Sequence, residues 1–162
     1  MIKYCKNKGI DLNLQHLRRM ILDIDGILYD KGGWKPVQYT IGNSRKYFKL
    51  PDSVIEIGER AFGHDEKLEK IEFSDNLERI CEAAFWGCTS LKMLQLSDNI
   101  TDISPFAFSH CDSLNTVRFG NKICKLKSQI FYACPNLKKV LIPENVNEIE
   151  SSVFYKRKNI TI

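Results

Sequence analysis

Leucines recur along this chain every 23 residues: Leu68, Leu91, Leu114 and Leu137. Further columns keep the same interval. One holds Phe48, Ile71, Leu94, Val117 and Val140, and another Leu50, Phe73, Leu96, Phe119 and Ile142. Two more run Val54, Leu77, Ile100, Ile123, Val146 and Ile57, Ile80, Ile103, Leu126, Ile149. The sharpest is all phenylalanine: Phe62, Phe85, Phe108, Phe131 and Phe154. Self-similarity at such a period marks a repeat architecture. One unit of this length cannot bury its own apolar side. Stacked at about 4.8 Å, the spacing of hydrogen-bonded strands, the units turn each column into a continuous buried ladder. The expected fold is a solenoid, mostly short β-strands in 23-residue coils.

Leu68–Phe73, Leu91–Leu96, Leu114–Phe119 and Leu137–Ile142 each read L-x-x-L-x-L, allowing for apolar substitutes. Alternation along such a segment sends its intervening residues outward. A second short extended piece follows in each unit, as in Val54–Ile57 and Ile100–Ile103. Its exposed column runs Glu56, Arg79, Asp102, Lys125, Glu148, reversing sign at each step. Opposite charges on neighbouring strands attract, so this ladder is expected to fix the register of the stack, each exposed pair contributing well under ~1 kcal/mol.

With the columns laid out, the chain resembles the BspA-like leucine-rich-repeat family. The matching stretches are Leu50-Pro51 through Ala61-Phe62, Ala84-Phe85 with Cys88 and Leu91, Ala107-Phe108 with Cys111 and Leu114, and Cys134 with Leu137. The stretch from Asp25 to Lys31 is similar to a variant unit of that family, in which a hairpin interrupts the coil. The resemblance spans roughly residues 17–162. Gly58 gives way to Cys81, Ser104, Lys127 and Glu150 in later units, and Ala61 to Ile130 and Val153. These departures imply drift in local turns. What the resemblance implies for function is recognition of a protein or matrix ligand, often at a cell surface, with no cofactor. Fold alone does not fix function.

The ends follow different rules. Residues 1–16 lie outside the pattern and are expected to cover the first coil. Ile10, Leu14, Leu17, Ile21 and Ile24 fit a helical stripe, whereas Leu17–Leu22 also reads as an L-x-x-L-x-L strand, the preferred reading. Residues 17–47 then form a variant repeat, Gly32-Gly33 turning a hairpin between Gly26–Asp30 and Trp34–Thr40. Regular repeats fill 48–162, giving a single domain overall. No separate C-terminal cap is evident after Ile160-Thr161-Ile162, so that edge is either covered by side chains or free to pair with another chain.

Charge and composition narrow the partner. The net charge is +4, unevenly placed: from Asn115 onward nine Lys or Arg face three acids, a surplus of +6. Such an end suits an acidic partner, or is a solvated face. No specific nucleic-acid motif appears. Met20-Ile21-Leu22 is the longest apolar run near the start and is hemmed in by charges, so no export-signal core is expected within this sequence, whether the protein stays in the cytoplasm or its leader lies outside the sequence. No stretch approaches the ~20 apolar residues of a membrane span. The location expected by default is cytoplasmic; the family resemblance implies cell surface or secreted.

Three motifs mimic chemistry. Asp23-Ile24-Asp25-Gly26 resembles the first motif of haloacid dehalogenases, whose leading Asp is a nucleophile, but repeats occupy the chain downstream. A phosphatase is therefore the remote alternative, and no catalytic residue is assigned. Cys88, Cys111 and Cys134 share one repeat slot, as buried structural thiols do. No metal-ligand spacing accompanies them. His110-Cys111 is no dyad, since adjacent residues of an extended chain point apart. Trp86, Tyr132 and Tyr155 share a column expected to cover the outer bend, or to grip a ligand.

The candidate binding positions are the outward columns of the first strand: Tyr47, Lys70, Met93, Thr116, Lys139 and Lys49, Glu72, Gln95, Arg118, Leu141. They stand on a rigid platform, and Tyr, Met and Arg are enriched at interfaces. The expected function is non-catalytic recognition of a protein or extracellular-matrix ligand through this face, by a monomer or weak oligomer. The alternative is structural self-assembly through the C-terminal edge.

Overall fold

The computed structural model describes residues 20–22, 27–30, 36–39, 45–155 and 160–161. Three strands, β1 (Met20–Leu22), β2 (Ile27–Asp30) and β3 (Pro36–Tyr39), form an antiparallel sheet in that order. The expected hairpin is there as β2 and β3, with an irregular register at Leu28/Tyr29. β1 is a strand, as preferred above, but it pairs antiparallel with β2, unlike the parallel coils that follow. The expected cap at 1–16, the Gly32-Gly33 turn and Asp23 to Gly26 lie outside the described residues.

From Tyr47 on, strands come in pairs, one pair per coil. They are β4 (Tyr47–Lys49) and β5 (Glu56–Ile57), β6 (Lys70–Glu72) and β7 (Arg79–Ile80), β8 (Met93–Gln95) and β9 (Asp102–Ile103), β10 (Thr116–Arg118) and β11 (Lys125–Leu126), and β12 (Lys139–Leu141) and β13 (Glu148–Ile149). Every pairing between these strands is parallel and offset by 23 residues, for example Phe48 with Ile71 and Val117 with Val140, and a single parallel bridge at an offset of 22 joins Lys139 of β12 to Thr161. The chain is a β-solenoid with no helix among the described residues.

The columns read from sequence are the core. Leu68, Leu91, Leu114 and Leu137 are fully buried, as are Leu94, Val117 and Val140. The phenylalanine rings lie in one file, with centroids 4.8, 5.2, 5.7 and 6.0 Å apart and planes within 12° of parallel. Those spacings begin at the strand-to-strand distance of about 4.8 Å and widen toward the C-terminal coil, so each coil covers the ring below it.

The bends add a third set of inter-coil bonds. Arg60, Phe62 and His64 donate their N–H groups to the Glu82, Ala84 and Trp86 carbonyls at 3.2, 2.8 and 2.7 Å. The residues between them bond back within their own coil, Ala61 to Gly58 and Gly63 to Arg60. Two slots in each of the first four bends take a left-handed backbone: Arg60, Ala83, Phe106, Gln129, and His64, Gly87, His110, Ala133.

Inside the bend the thiol column stitches coils together. Cys88, Cys111 and Cys134 donate to the Phe62, Phe85 and Phe108 carbonyls of the coil before, at 3.1, 3.4 and 3.0 Å. Burial pushes the Cys88 and Cys111 thiols above their ordinary range, which suits packing and opposes nucleophilic chemistry. Asp65 stands in the same slot of the first coil, its Oδ1 accepting the Lys67 and Leu68 N–H groups. Asparagines stitch the loops after the strands, Asn76 donating to the Asp52 carbonyl and Asn99 to that of Asp75.

The charge ladder forms only in part. Arg79 pairs with Glu56 at 2.9 Å and Lys125 with Glu148 at 2.8 Å, as expected. Asp102 instead pairs with Lys127 at 2.5 Å. The second-strand series is two sheets, β5-β7-β9 and β11-β13, which parts Asp102 from Lys125, while Arg79 and Asp102 lie in register with Arg79 turned to Glu56 and Glu78. The first-strand series is also split, between β6 and β8. That split defines the candidate site.

Candidate functional site

All ten predicted positions lie on β4, β6, β8, β10 and β12, flanking a buried central residue on each strand. Thr116 is half-buried and the other nine are exposed. Registers place them in two straight columns, Tyr47–Lys70 and Lys49–Glu72 at one end, Thr116–Lys139 and Arg118–Leu141 at the other.

The N-terminal end of this face is knitted together. The Tyr47 hydroxyl donates to Glu72 at 2.6 Å, and Lys49 reaches the same carboxylate at 3.0 Å. These two contacts hold the Glu72 carboxyl below the usual range. Lys70 places its ammonium 5.6 Å from the centre of the Tyr47 ring. One position before the strands, Glu69 binds Lys46 at 2.8 Å and Lys92 at 2.6 Å. Those hydrogen bonds, with the lysine charges, lower its carboxyl to about 2. Lys46, Glu69 and Lys92 were missed in the sequence, although their shared 23-residue slot was open to inspection.

Between β6 and β8 the ladder opens. At the other steps of this series the residue after the strand donates forward, Leu50 to Glu72, Leu96 to Arg118 and Phe119 to Leu141, at 2.8, 2.9 and 3.1 Å. The equivalent bond from Phe73 to Gln95 is not made. A depression of about 330 Å³ lies here, lined by Lys70, Glu72, Met93 and Gln95 of the predicted face and floored by Ile71, Phe73 and Leu96. Asp75 and Ser97 complete its rim. That volume is at the small end of ligand clefts, roughly 300–1,000 Å³, so it suits one or two side chains. Tyr47/Lys70 and Lys49/Glu72 attract across β4 and β6, whereas Lys70/Met93 and Glu72/Gln95 offer no comparable pairing.

The C-terminal end differs. Arg118, Lys138 and Lys139 are exposed, and among the described residues none has an ion pair. Leu141 is 42% and Met93 47% exposed. Lys122 is exposed on another side, and residues 156–159 lie outside the described residues.

The remaining candidates resolve into packing. His64, Trp86, His110 and Tyr132 interleave edge-to-face with centroids 4.3, 6.1 and 5.7 Å apart, and Tyr132 stacks on Tyr155 at 5.4 Å. The rings spend their faces on one another, as a cover for the bend would. Cys111 is buried while its neighbour His110 is exposed. A second depression of about 530 Å³ is lined by Asp52, Asn76, Glu78, Asn99 and Lys122, among others. Its two asparagines are committed to the loop ladder.

Comparison with protein families matches the description "BspA type Leucine rich repeat region" in six copies over residues 40–161. No curated protein matches the sequence. Among solved structures, a leucine-rich repeat protein from Eubacterium ventriosum superposes with a TM-score of 0.72 at 21% identity, over 81% of this chain and 39% of that one. A T. pallidum leucine rich repeat protein gives 0.61 at 26% identity, covering 80% and 66%. A leucine rich cell surface protein from Faecalibacterium prausnitzii gives 0.60 at 26% identity, covering 82% and 39%. The chain thus spans 39% of the length of two of these structures and 66% of the third.

Proposed function

The chain belongs to the BspA-type leucine-rich repeat family, and from that membership we propose that it is a non-catalytic recognition module. It binds a protein partner through the outward face of β4, β6, β8, β10 and β12. The observation that carries this reading is the depression between β6 and β8. It interrupts an otherwise regular sheet at the centre of the face, and leaves the Phe73 N–H and Gln95 carbonyl without a backbone partner. Exposed Met93 stands on its rim. Apolar side chains around an indentation with open polar groups are the usual makings of an interface anchor. A cell-surface location belongs to the same reading, supported by the F. prausnitzii relative described as a cell surface protein.

The test is the double variant Met93→Ala with Arg118→Glu against an identified partner. Loss of affinity by about tenfold or more, or at least ~1.4 kcal/mol, is expected. Unchanged affinity removes the strand face from the reading. Self-assembly through the C-terminal edge is the second reading. It is favoured by Ile149, 46% exposed in a column whose other members are buried, and by exposed Tyr155. Sedimentation at rising concentration separates the two, since a mass that stays monomeric excludes assembly.

A further inference from the structure

We propose that the strand face takes an extended acidic peptide, an apolar side chain entering the β6–β8 depression and carboxylates seated on Arg118 and Lys139. This inference rests on the recognition reading above and names its ligand class.

The argument begins with which cations are already engaged. On the N-terminal half of the face, Lys46, Lys49 and Lys92 are each salt-bridged to a glutamate, and Lys70 lies against the Tyr47 ring. On the C-terminal half, the three flanking slots of β10 and β12 hold Asn115, Thr116, Arg118 and Lys138, Lys139, Leu141. No acid is among them. Among the described residues, Arg118, Lys138 and Lys139 therefore present positive charge without an ion-pair partner, beside exposed Leu141. A patch of one sign next to an apolar cleft is complementary to a ligand carrying acids next to an apolar residue.

Spacing selects an extended chain. Neighbouring strands lie about 4.8 Å apart, so the opening between β6 and β8 is roughly 7 Å from β10, and β12 is one strand further. An extended peptide running along the stack advances about 6.6 Å per two residues and returns its side chain to the same face. An apolar residue in the depression thus puts the residue two places on at Arg118. The next such residue comes within reach of Lys139, whose long side chain has no ion pair among the described residues. The Phe73 N–H and the Gln95 carbonyl offer the peptide backbone a donor and an acceptor at the mouth of the depression.

Nucleic acid fits this surface less well. Sequence-tolerant binding of single strands uses exposed rings for base stacking, and the outward columns of β8, β10 and β12 contain none.

The probe is a fluorescent peptide, Leu-Ser-Glu-Ser-Glu, titrated by anisotropy against the full chain. Saturable binding is expected, weakening severalfold as salt rises from about 50 to 300 mM. Arg118→Glu and Lys139→Glu should each lower affinity by about tenfold, since each turns an attraction into a repulsion. Lys122→Glu changes the net charge equally but lies off the face, and should leave binding within about twofold. Melting temperatures equal to the parent's verify that the variants fold; the altered side chains make no described contact. A peptide with Gln for both Glu that binds equally well would overturn the proposal. So would equal losses in all three variants, or tighter binding to phosphatidylserine vesicles or to an oligonucleotide. Absence of peptide binding, with a protein partner still lost in the Met93→Ala, Arg118→Glu double variant, sinks the acidic ligand class and leaves the strand-face reading intact. A partner retained by that double variant sinks both.

Discussion

Gly120 shows how little room a coil leaves its neighbour. A methyl group at this position would overlap the Ser97 carbonyl and the Asp98 Cα, both backbone of the coil before. Backbone inside a stacked ladder cannot retreat as a side-chain tip can. Gly120→Ala is therefore expected to cost about 2 kcal/mol, lowering Tm by roughly 4–8 °C for a domain of this size. Gly63→Ala meets its nearest atom, the Arg60 carbonyl oxygen, at 3.2 Å, and should cost less. Thermal melts of the two variants side by side check the order. The sequence hid this requirement, because the slot holds Pro51, Ser74, Ser97, Gly120 and Pro143 with no shared preference. It hid the left-handed slots for the same reason. Of their eight described members only Gly87 is glycine, and a column of Arg, Ala, Phe and Gln gives no sign of positive φ. The core columns were legible because burial between identical coils admits only apolar side chains. Bend slots are held by backbone hydrogen bonds, which any side chain tolerates at some strain.

Strands here are three residues long or shorter in the solenoid, so their alignment depends on what flanks them. Glu69 ties three coils together through Lys46 and Lys92, reinforcing the backbone bond at this step, from the Lys92 N–H to the Glu69 carbonyl at 3.3 Å. Its carboxyl sits at about 2 in the folded chain, below its unfolded value. Folding therefore gains from Glu69 fully above the unfolded pKa, and the gain fades as pH falls toward about 2. Glu69→Gln should lower Tm at pH 6, and the difference from wild type should disappear near pH 2. High salt should shrink it, since the pairs face solvent. A Tm difference that persists undiminished at pH 2 would show that packing, not charge, is the source. The opening itself was out of reach of sequence reasoning. β6 and β8 keep the same L-x-x-L-x-L pattern as strands that do pair. The opening is a property of two coils together, which the pattern of neither coil shows alone. The ten outward positions could be listed from sequence, since alternation fixes which side a residue faces. Which of them share a depression, and which cations are already neutralised, emerged only with the coils stacked.

The whole molecule is a line of near-identical layers, and a line fails differently from a globule. Each layer contacts only the ones above and below, so its contribution is an intrinsic part plus two interfaces. Phe108 has both interfaces: it is fully buried, with Phe85 on one face at 5.2 Å and Phe131 on the other at 5.7 Å. Phe154 is half-buried and stacks on Phe131 at 6.0 Å. Phe108→Ala removes a ring from the middle of the file and is expected to cost about 3–5 kcal/mol, the usual toll of a buried Phe→Ala change. Phe154→Ala opens no enclosed cavity, because its outer side is already open, and should cost well under half as much. In urea titrations, Phe108→Ala should move the midpoint sharply. Phe154→Ala should move it slightly and add a shallow slope before the main transition, as the last coil frays ahead of the rest. Hydrogen exchange locates that slope: amides of β13 should lose protection in Phe154→Ala while those of β8 keep theirs. Equal losses from the two substitutions would mean that stability is pooled over one shared core. The file of rings would then be a geometric fact with no bearing on how the chain holds together.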